Sequence, residues 1–423
     1  MTEIRPFRGL RYDPKRVELS RVLVPPYDVI APDERAGFFE RDPHNAIRLE
    51  LTRDPAEEAS TDYVQVRRTL DAWRAEGVLQ QDPRPALYGL RQRFAAPDGS
   101  RGVREGFFAL LHLEDYARRI VRPHERTLAG PKADRLKLLR AARANLSIVF
   151  LLYEDREQAL SRALAPAFAA GPDAVGLDAG GIEHALTRID DAALHRTVSE
   201  FLRVRPVVIA DGHHRYETAL AYRDERRGSG PVDPEAPFEW TLAYFANAYA
   251  PGSLLLPIHR LLVGRPAPPG AAWARLAGWS ERRVEAGGAE SIPAVLAREL
   301  APLAPAPAFA LDDGSGTLRI FSRAPTPDGE LAIRVFHREV VQGVLGLDEA
   351  AIRDGALDFP KDTLRAARDL RAGRGSLALY LNPLSPDDVF RVTAAGEVLP
   401  QKSTFFLPKL PTGLVFRLLE ETP

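Results

Sequence analysis

At 423 residues the chain can carry two domains with separate cores, and 45% hydrophobic with 27% charged residues is ordinary for a globular protein. A formal net charge of -1 and a pI near 6.8, without a long basic run, argue against nucleic acid as the main partner, which calls for an excess of Lys and Arg to displace counterions. Cysteine is absent, so disulfides, thiolate nucleophiles, cysteine-bound zinc and iron–sulfur clusters are excluded. Catalysis would rest on carboxylates, His, Lys, Arg, hydroxyls or a hard metal ion.

The first residues, MTEIRPFR, hold no apolar secretion signal, and no stretch approaches the roughly 20 apolar residues of a membrane span. The expectation is a cytoplasmic protein with no membrane partner.

In chain order, Val66, Leu70 and Trp73 recur at helical spacing before Gly77, which predicts an amphipathic helix near 60–76. Two β-rich runs near 86–94 and 104–113 flank Pro97-Asp98-Gly99-Ser100, a hairpin pattern. Asp134 to Arg143 reads as a helix, and Ser147 to Tyr153 as a buried strand. The Gly-containing stretch 171–181 reads as weakly structured, and Ala192 to Leu202 as a helix. The apolar run Arg205 to Ala210 reads as a short strand, broken at Asp211-Gly212 and followed by helical spacing from His213 to Arg227. Gly228-Ser229-Gly230-Pro231 marks a boundary, giving an expected catalytic domain over 1–230 and an α+β domain over 231–423 that would complete the active site. In that second half, strands are expected at 241–249, 253–258, 376–381 and 403–407, and helices at 337–344 and 362–371. The fold class is α/β or α+β.

The strand-to-helix turn Asp211-Gly212-His213-His214-Arg215 carries the strongest chemical signal. A helix N-terminus presents unpaired N–H groups and partial positive charge, which attract anions. Gly212 permits a tight turn and close approach of a phosphate, and Arg215 adds a permanently charged fork. His213 and His214 add donors, and Asp211 can hold a divalent cation or orient a hydroxyl. The plain alternative is that Asp211 caps the helix while the histidines pack or face solvent. Adjacent histidines on a helix point about 100° apart, which disfavours a two-histidine metal site.

A second element is Arg122-Pro123-His124-Glu125-Arg126-Thr127, followed by Lys132, Asp134 and Arg135. Glu125, flanked by His124 and Arg126 after an extended X-Pro segment, suits a general base, although a surface salt-bridge cluster has the same composition. Two more stretches are candidates: Val24-Pro25-Pro26-Tyr27-Asp28, and Pro400-Gln401-Lys402-Ser403-Thr404 with Lys409 and Pro411-Thr412-Gly413, which offers two cations and two hydroxyls. For both, the plain alternative is a rigid packing turn. Asn45, His259 and Arg260 read as core or surface residues.

The motifs PHERT and DGHHR, in this order, resemble the paired motifs of the SerK-type free serine kinases of the ParB/sulfiredoxin-like superfamily. More of the chain is similar to the bacterial domain of unknown function 1015 family, through FRGLRY at 7–12, VPPYDVI at 24–30, PHE at 123–125, Ala210 to Glu217, and QKST at 401–404. The resemblance implies a ParB/sulfiredoxin-like core with Glu125 as base and Asp211, Gly212, His213, His214 and Arg215 at the phosphate and metal end. Sulfiredoxin chemistry itself needs a cysteine and is excluded.

The leading expectation is a kinase that moves a phosphoryl group from ATP, ADP or pyrophosphate, with Mg²⁺, to free L-serine or a similar hydroxylated metabolite. Glu125, His124 and Asp211 would be catalytic, and Gly212, His213, His214, Arg215, Lys402 and Arg135 would bind phosphate or nucleotide. No P-loop or protein-kinase motif set is present. Two alternatives stand beside it: a nucleotide-binding regulatory module, and a phosphate-ester hydrolase with water as acceptor.

Overall fold

The computed structural model describes residues 1–126, 129–228, 232–327 and 329–419. The chain forms a mixed α/β structure that divides into two compact units. The first comprises Met1–Leu254 with Thr393–Gly396 and the C-terminal segment from Pro408, and the second comprises Leu255–Val392 with Glu397–Leu407.

The first unit is built on a nine-stranded sheet. Its main path runs Val121–Arg122, Val207–Asp211, Val149–Tyr153, Trp240–Asn247, Arg101–His112, Leu87–Ala95, Glu183–Ile189, Ala174–Leu177, and Ile4–Arg5 pairs separately with Arg101–His112. Pairing is mostly antiparallel, but Val121–Arg122 runs parallel to Val207–Val208, and Val149–Tyr153 parallel to Trp240–Asn247. The centre of the sheet is apolar on both faces, as the continuous runs VFLLY and VVIA require. One core cluster includes Phe107, Leu151, Ile209 and Phe245, packed against Val198 and Leu202 of the helix Ala192–Arg203 and Tyr216 of the helix His213–Arg227.

The expected helices appear at Val64–Ala75, Ala129–Ala142, Ala192–Arg203 and His213–Arg227, and the expected hairpin joins Leu87–Ala95 to Arg101–His112. Two strands, Ala174–Leu177 at the sheet edge and Glu183–Ile189 beside it, fall in or beside the stretch read as weakly structured. Glycine and half-exposed positions conceal the strand signal there, and pairing to Leu87–Ala95 supplies the order.

The boundary expected at 230/231 lies instead after Leu254. Trp240–Asn247, eight buried residues in a row, fills the gap between Val149–Tyr153 and Arg101–His112 and so belongs to the first sheet. Ser229, Gly230 and Pro231 of the expected linker lie outside the described residues. The end of the chain also returns to the first unit. Thr412 exchanges backbone hydrogen bonds with Val24, Phe416 with Leu10, and Arg417–Leu418 pairs with Ala144–Asn145.

The second unit carries a six-stranded antiparallel sheet, ordered Ser280–Glu285, Thr317–Ser322, Ala308–Asp312, Leu377–Leu381, Arg260–Leu262, Leu357–Asp358. Ile292–Glu299 and Thr363–Arg371 pack on it through Ile292, Val295, Ala366 and Leu370.

Candidate active site

The two motifs meet because their strands are neighbours. Val121–Arg122 and Val207–Val208 pair in parallel, so the chain leaves both at the same edge, one into Pro123-His124-Glu125 and the other into Asp211-Gly212-His213. Carboxyl ends of parallel strands are where open α/β sheets bind ligands. A register shift between Ile209 and Asp211, opposite Leu151 and Phe150, forms a bulge that re-aims the end of the strand.

Gly212 sits at φ 89°, in the left-handed region, and a Cβ there would lie 3.3 Å from both the Ile148 carbonyl oxygen and Arg215 Cδ. Conformation and space both call for glycine. The helix beginning at His213 has no side-chain cap, so Asp211 is not its capping residue. Asp211 faces two cations instead. Lys409 Nζ lies 3.0 Å from its Oδ1, and Arg215 Nη1 lies 3.9 Å from its Oδ2. Burial pushes the Asp211 carboxyl up, but Lys409 and Arg215 outweigh that and hold it well below the usual carboxylate range.

Arg215 donates to the Ile148 carbonyl at 2.8 Å and to Asp28 Oδ1 at 3.2 Å, and its guanidinium lies 5.4 Å from the Tyr27 ring centroid. Burial works against its charge, yet Asp28 and Asp211 raise its pKa above the ordinary arginine value. The VPPYD segment is thereby drawn to the strand–helix turn. Burial pushes the Tyr27 phenol up to about 12, so it stays protonated.

The histidines take three different roles. His124 donates from Nδ1 to the Ile209 carbonyl at 2.5 Å, which fixes its tautomer and leaves a lone pair on Nε2, 3.8 Å from Glu125 Oε1. His213 Nε2 accepts the His124 backbone N–H at 3.3 Å, and the two rings meet edge to face at 4.6 Å. Burial lowers the pKa of both, well below the usual value for His213, so both are neutral at pH 7. His214 is half-buried, and burial lowers its pKa too, opposed by Glu217 and Asp28. Lys132 pairs with Glu217 at 2.7 Å on the same stretch of helix. Glu125 is half-buried and Arg126 exposed, while Thr127 lies outside the described residues.

Two expected phosphate ligands are committed to protein partners. His213 latches one motif to the other, as above. Arg135 is buried, donating to Glu50 Oε2 at 3.2 Å, the Glu50 carbonyl at 3.0 Å, Tyr63 Oη at 3.1 Å and Asp134 Oδ2 at 2.9 Å. Glu50, fully buried, also accepts from Thr412 at 3.2 Å and from Ser147. Arg135 thus closes a polar core, because a buried carboxylate must be paired. Lys402 belongs to the second unit, where it is exposed, at φ 56°, with its carbonyl bonded to Arg260. Of the two cations in the tail, Lys409 is the one at Asp211. Its signal was a lone cation between Pro408 and Pro411, in a tail with no charged residue from Leu410 to Phe416. Asn45 and His259 are satisfied core residues: Asn45 bonds Ile47 N and the Arg21 carbonyl, and His259 bonds Leu381 N and Thr363.

Among the described residues no group of three or more His, Asp or Glu is arranged to hold a metal ion. Magnesium commonly binds through one or two carboxylates plus substrate phosphates. Asp211 is a single carboxylate, and its two oxygens already face Lys409 and Arg215.

The fold and this cluster define a mixed α/β protein with a charge-rich site at the carboxyl ends of two parallel strands. The chain belongs to the family described as "Protein of unknown function (DUF1015)", whose model matches residues 4–277. A search of the curated proteins gives no match. Solved structures similar to this chain include a conserved hypothetical protein from Pyrococcus furiosus, 13% identical, with TM-score 0.35, covering 75% of this chain and 97% of that one. A mutant free serine kinase in complex with ADP is 13% identical, with TM-score 0.38 and coverage of 75% and 94%. SbnI with a C-terminal truncation, from Staphylococcus aureus, is 11% identical, with TM-score 0.36 and coverage of 75% and 90%.

Proposed function

We propose that this protein is a small-molecule kinase that transfers a phosphoryl group from ATP, ADP or pyrophosphate to the hydroxyl of free L-serine or a similar metabolite. The observation that carries this reading is the convergence of Lys409 and Arg215 on Asp211, at an uncapped helix N-terminus, beside the strand end that bears Glu125. Phosphoryl transfer depends on positioning and charge compensation more than on covalent chemistry by the protein, and this cluster offers both.

In this reading Glu125 accepts the hydroxyl proton while the substrate oxygen bonds to phosphorus. The bond from phosphorus to the leaving phosphate oxygen breaks, and the electron pair departs with that oxygen. Lys409, Arg215 and the N–H groups after Gly212 compensate the charge on the leaving and transferring groups. His124 Nε2, with its lone pair toward Glu125, can take the proton onward. Asp211 orients Lys409.

The test is incubation with Mg²⁺ and L-serine, offering ATP, ADP and pyrophosphate in turn, with O-phosphoserine followed by ³¹P NMR. Product that vanishes in Glu125→Gln while donor binding persists is the expected result. Full activity in Glu125→Gln overturns the role of Glu125. Saturable nucleotide binding with no product from any hydroxylated acceptor replaces the kinase with a nucleotide-responsive module, and phosphate release without an acceptor replaces it with a hydrolase.

A further inference from the structure

The entry to the strand Val207–Asp211 and the neighbouring segment from Arg119 to Arg122 carry a second cluster of positive charge. Arg119 and Ile120 enter the strand Val121–Arg122, Arg122 lies on it, and Arg203 to Pro206 lead into Val207–Asp211. Together with Thr2 they line an open depression of about 220 Å³. All of these residues belong to the first unit.

Among the described residues, none of these four arginines is in an ion pair, whereas Arg11, Arg135, Arg215, Arg223 and Arg227 of the same unit each reach a carboxylate. Three of the four reach backbone carbonyls, Arg119 Nη1 donating to Ala394 O at 3.5 Å. Arg122 Nε donates to Arg119 O at 3.0 Å, and Arg205 Nη1 donates to Phe201 O at 2.6 Å with its guanidinium 3.7 Å from the Phe201 ring centroid. Arg119 sits at φ 57°, a left-handed conformation uncommon for a non-glycine residue. Burial lowers the Arg122 pKa, with Glu154 opposing and Arg119 adding to the fall.

The helix Ala192–Arg203 ends here, and its C-terminus supplies only about half a negative charge. Four guanidiniums exceed that severalfold. Like charges that outnumber the counter-charge around them, here the helix end and Glu154, are repelled from within and relieved by an anion, and preorganised arginine forks match phosphate oxygens in pairs.

We propose that the pocket bounded by Arg119, Arg122, Arg203 and Arg205 binds a compact oligophosphate anion. A single phosphate carries too little charge to answer four arginines, and the volume accommodates a di- or triphosphate group. The pocket stands about 13 Å from Asp211 along the strand, at about 3.3 Å per residue, so one rigid ladder joins it to the candidate active site. The inference does not depend on the kinase reading.

The experiment is calorimetric titration of the full-length protein with pyrophosphate, tripolyphosphate and ADP at low and moderate salt. The wild type is compared with Arg119→Gln/Arg203→Gln, whose side chains are exposed, and with Arg119→Glu/Arg203→Glu. The expected result is a pyrophosphate or tripolyphosphate site weakened at least tenfold in the Gln pair and abolished in the Glu pair, with unchanged circular dichroism and melting. ADP binding at that same site would identify a nucleotide tail as the source, and its absence would identify inorganic oligophosphate. Isotherms of both variants that superimpose on the wild type overturn the proposal, as does binding of a short RNA without binding of any oligophosphate. Loss of kinase turnover in Glu125→Gln leaves this pocket's isotherm unchanged, so the two proposals fail separately.

Discussion

Replacing Lys409 with methionine tests whether the end of the chain holds the strand–helix turn through Asp211. Methionine keeps the length and apolar stem of the side chain and removes the charge. The Lys409–Asp211 contact is 3.0 Å, and the two side chains are 21% and 17% exposed, so solvent screens it only in part. A hydrogen bond to a charged group contributes about 1.5–3 kcal/mol, and Arg215 at 3.9 Å remains as partial compensation, which places the loss at about 2 kcal/mol. For a unit of this size that corresponds to a fall in Tm of about 4–8 °C by scanning calorimetry at pH 7. The effect also has a signed pH dependence. Asp211 is depressed in the folded state, so it adds stability above its unfolded pKa of about 3.9, and that stability fades only as pH falls through the lower folded value. Without Lys409 the folded value rises, and the wild-type advantage is largest near neutrality and narrows in acid. In Asp211→Asn/Lys409→Met most of the loss should be absent, because no uncompensated carboxylate remains. A Tm for Lys409→Met within 1 °C of wild type, or additive single and double variants, refutes the pairing.

Gly212→Ala should cost about 1–2 kcal/mol from the left-handed backbone alone and should weaken nucleotide binding, read by thermal denaturation and titration, since its Cβ would press on Ile148 O and Arg215. Arg135→Ala strands the fully buried Glu50 and should cost about 3–5 kcal/mol, more than Lys409→Met; a soluble variant with wild-type melting would show that Glu50 is satisfied without it. His124, His213 and His214 are all pushed toward the neutral form by burial, so the unfolded chain takes up protons near pH 6.5 while the folded chain resists. Stability should therefore fall from pH 7 toward pH 5, by up to about 1.4 kcal/mol per pH unit for each of the fully buried His124 and His213 and by less for the half-buried His214, and a flat Tm across that range contradicts their burial.

Much of the first unit was legible from periodicity. The helix Val64–Ala75 follows from Val66, Leu70 and Trp73, and the strand Val207–Asp211 from an unbroken apolar run ended by Asp211-Gly212. Hydrophobic spacing and turn chemistry are local, and local signals survive in a single sequence. The turn at Gly212 was legible for the same reason, since the need for positive φ is a property of one residue and its neighbours. The strands Ala174–Leu177 and Glu183–Ile189 were not, because their order comes from partners rather than from their own residues.

Burial and long-range pairing lay beyond the sequence. DGHHR reads as two histidine donors and an arginine fork all open to a phosphate, yet the fold turns His213 inward onto His124 and leaves Arg215 between Asp28 and Asp211. Arg135 and Lys402 carry the same formal charge as Arg215 and Lys409. Only tertiary structure commits Arg135 to Glu50 and threads the tail beside Val24, so that Lys409, nearly 200 residues away in sequence, lies 3.0 Å from Asp211. The sequence by itself determined which chemistries were open, through its lack of cysteine, its near-neutral charge and its two motifs. Which cation meets which carboxylate was decided by chain topology, because charge is written in each residue while distance is set by everything packed between them.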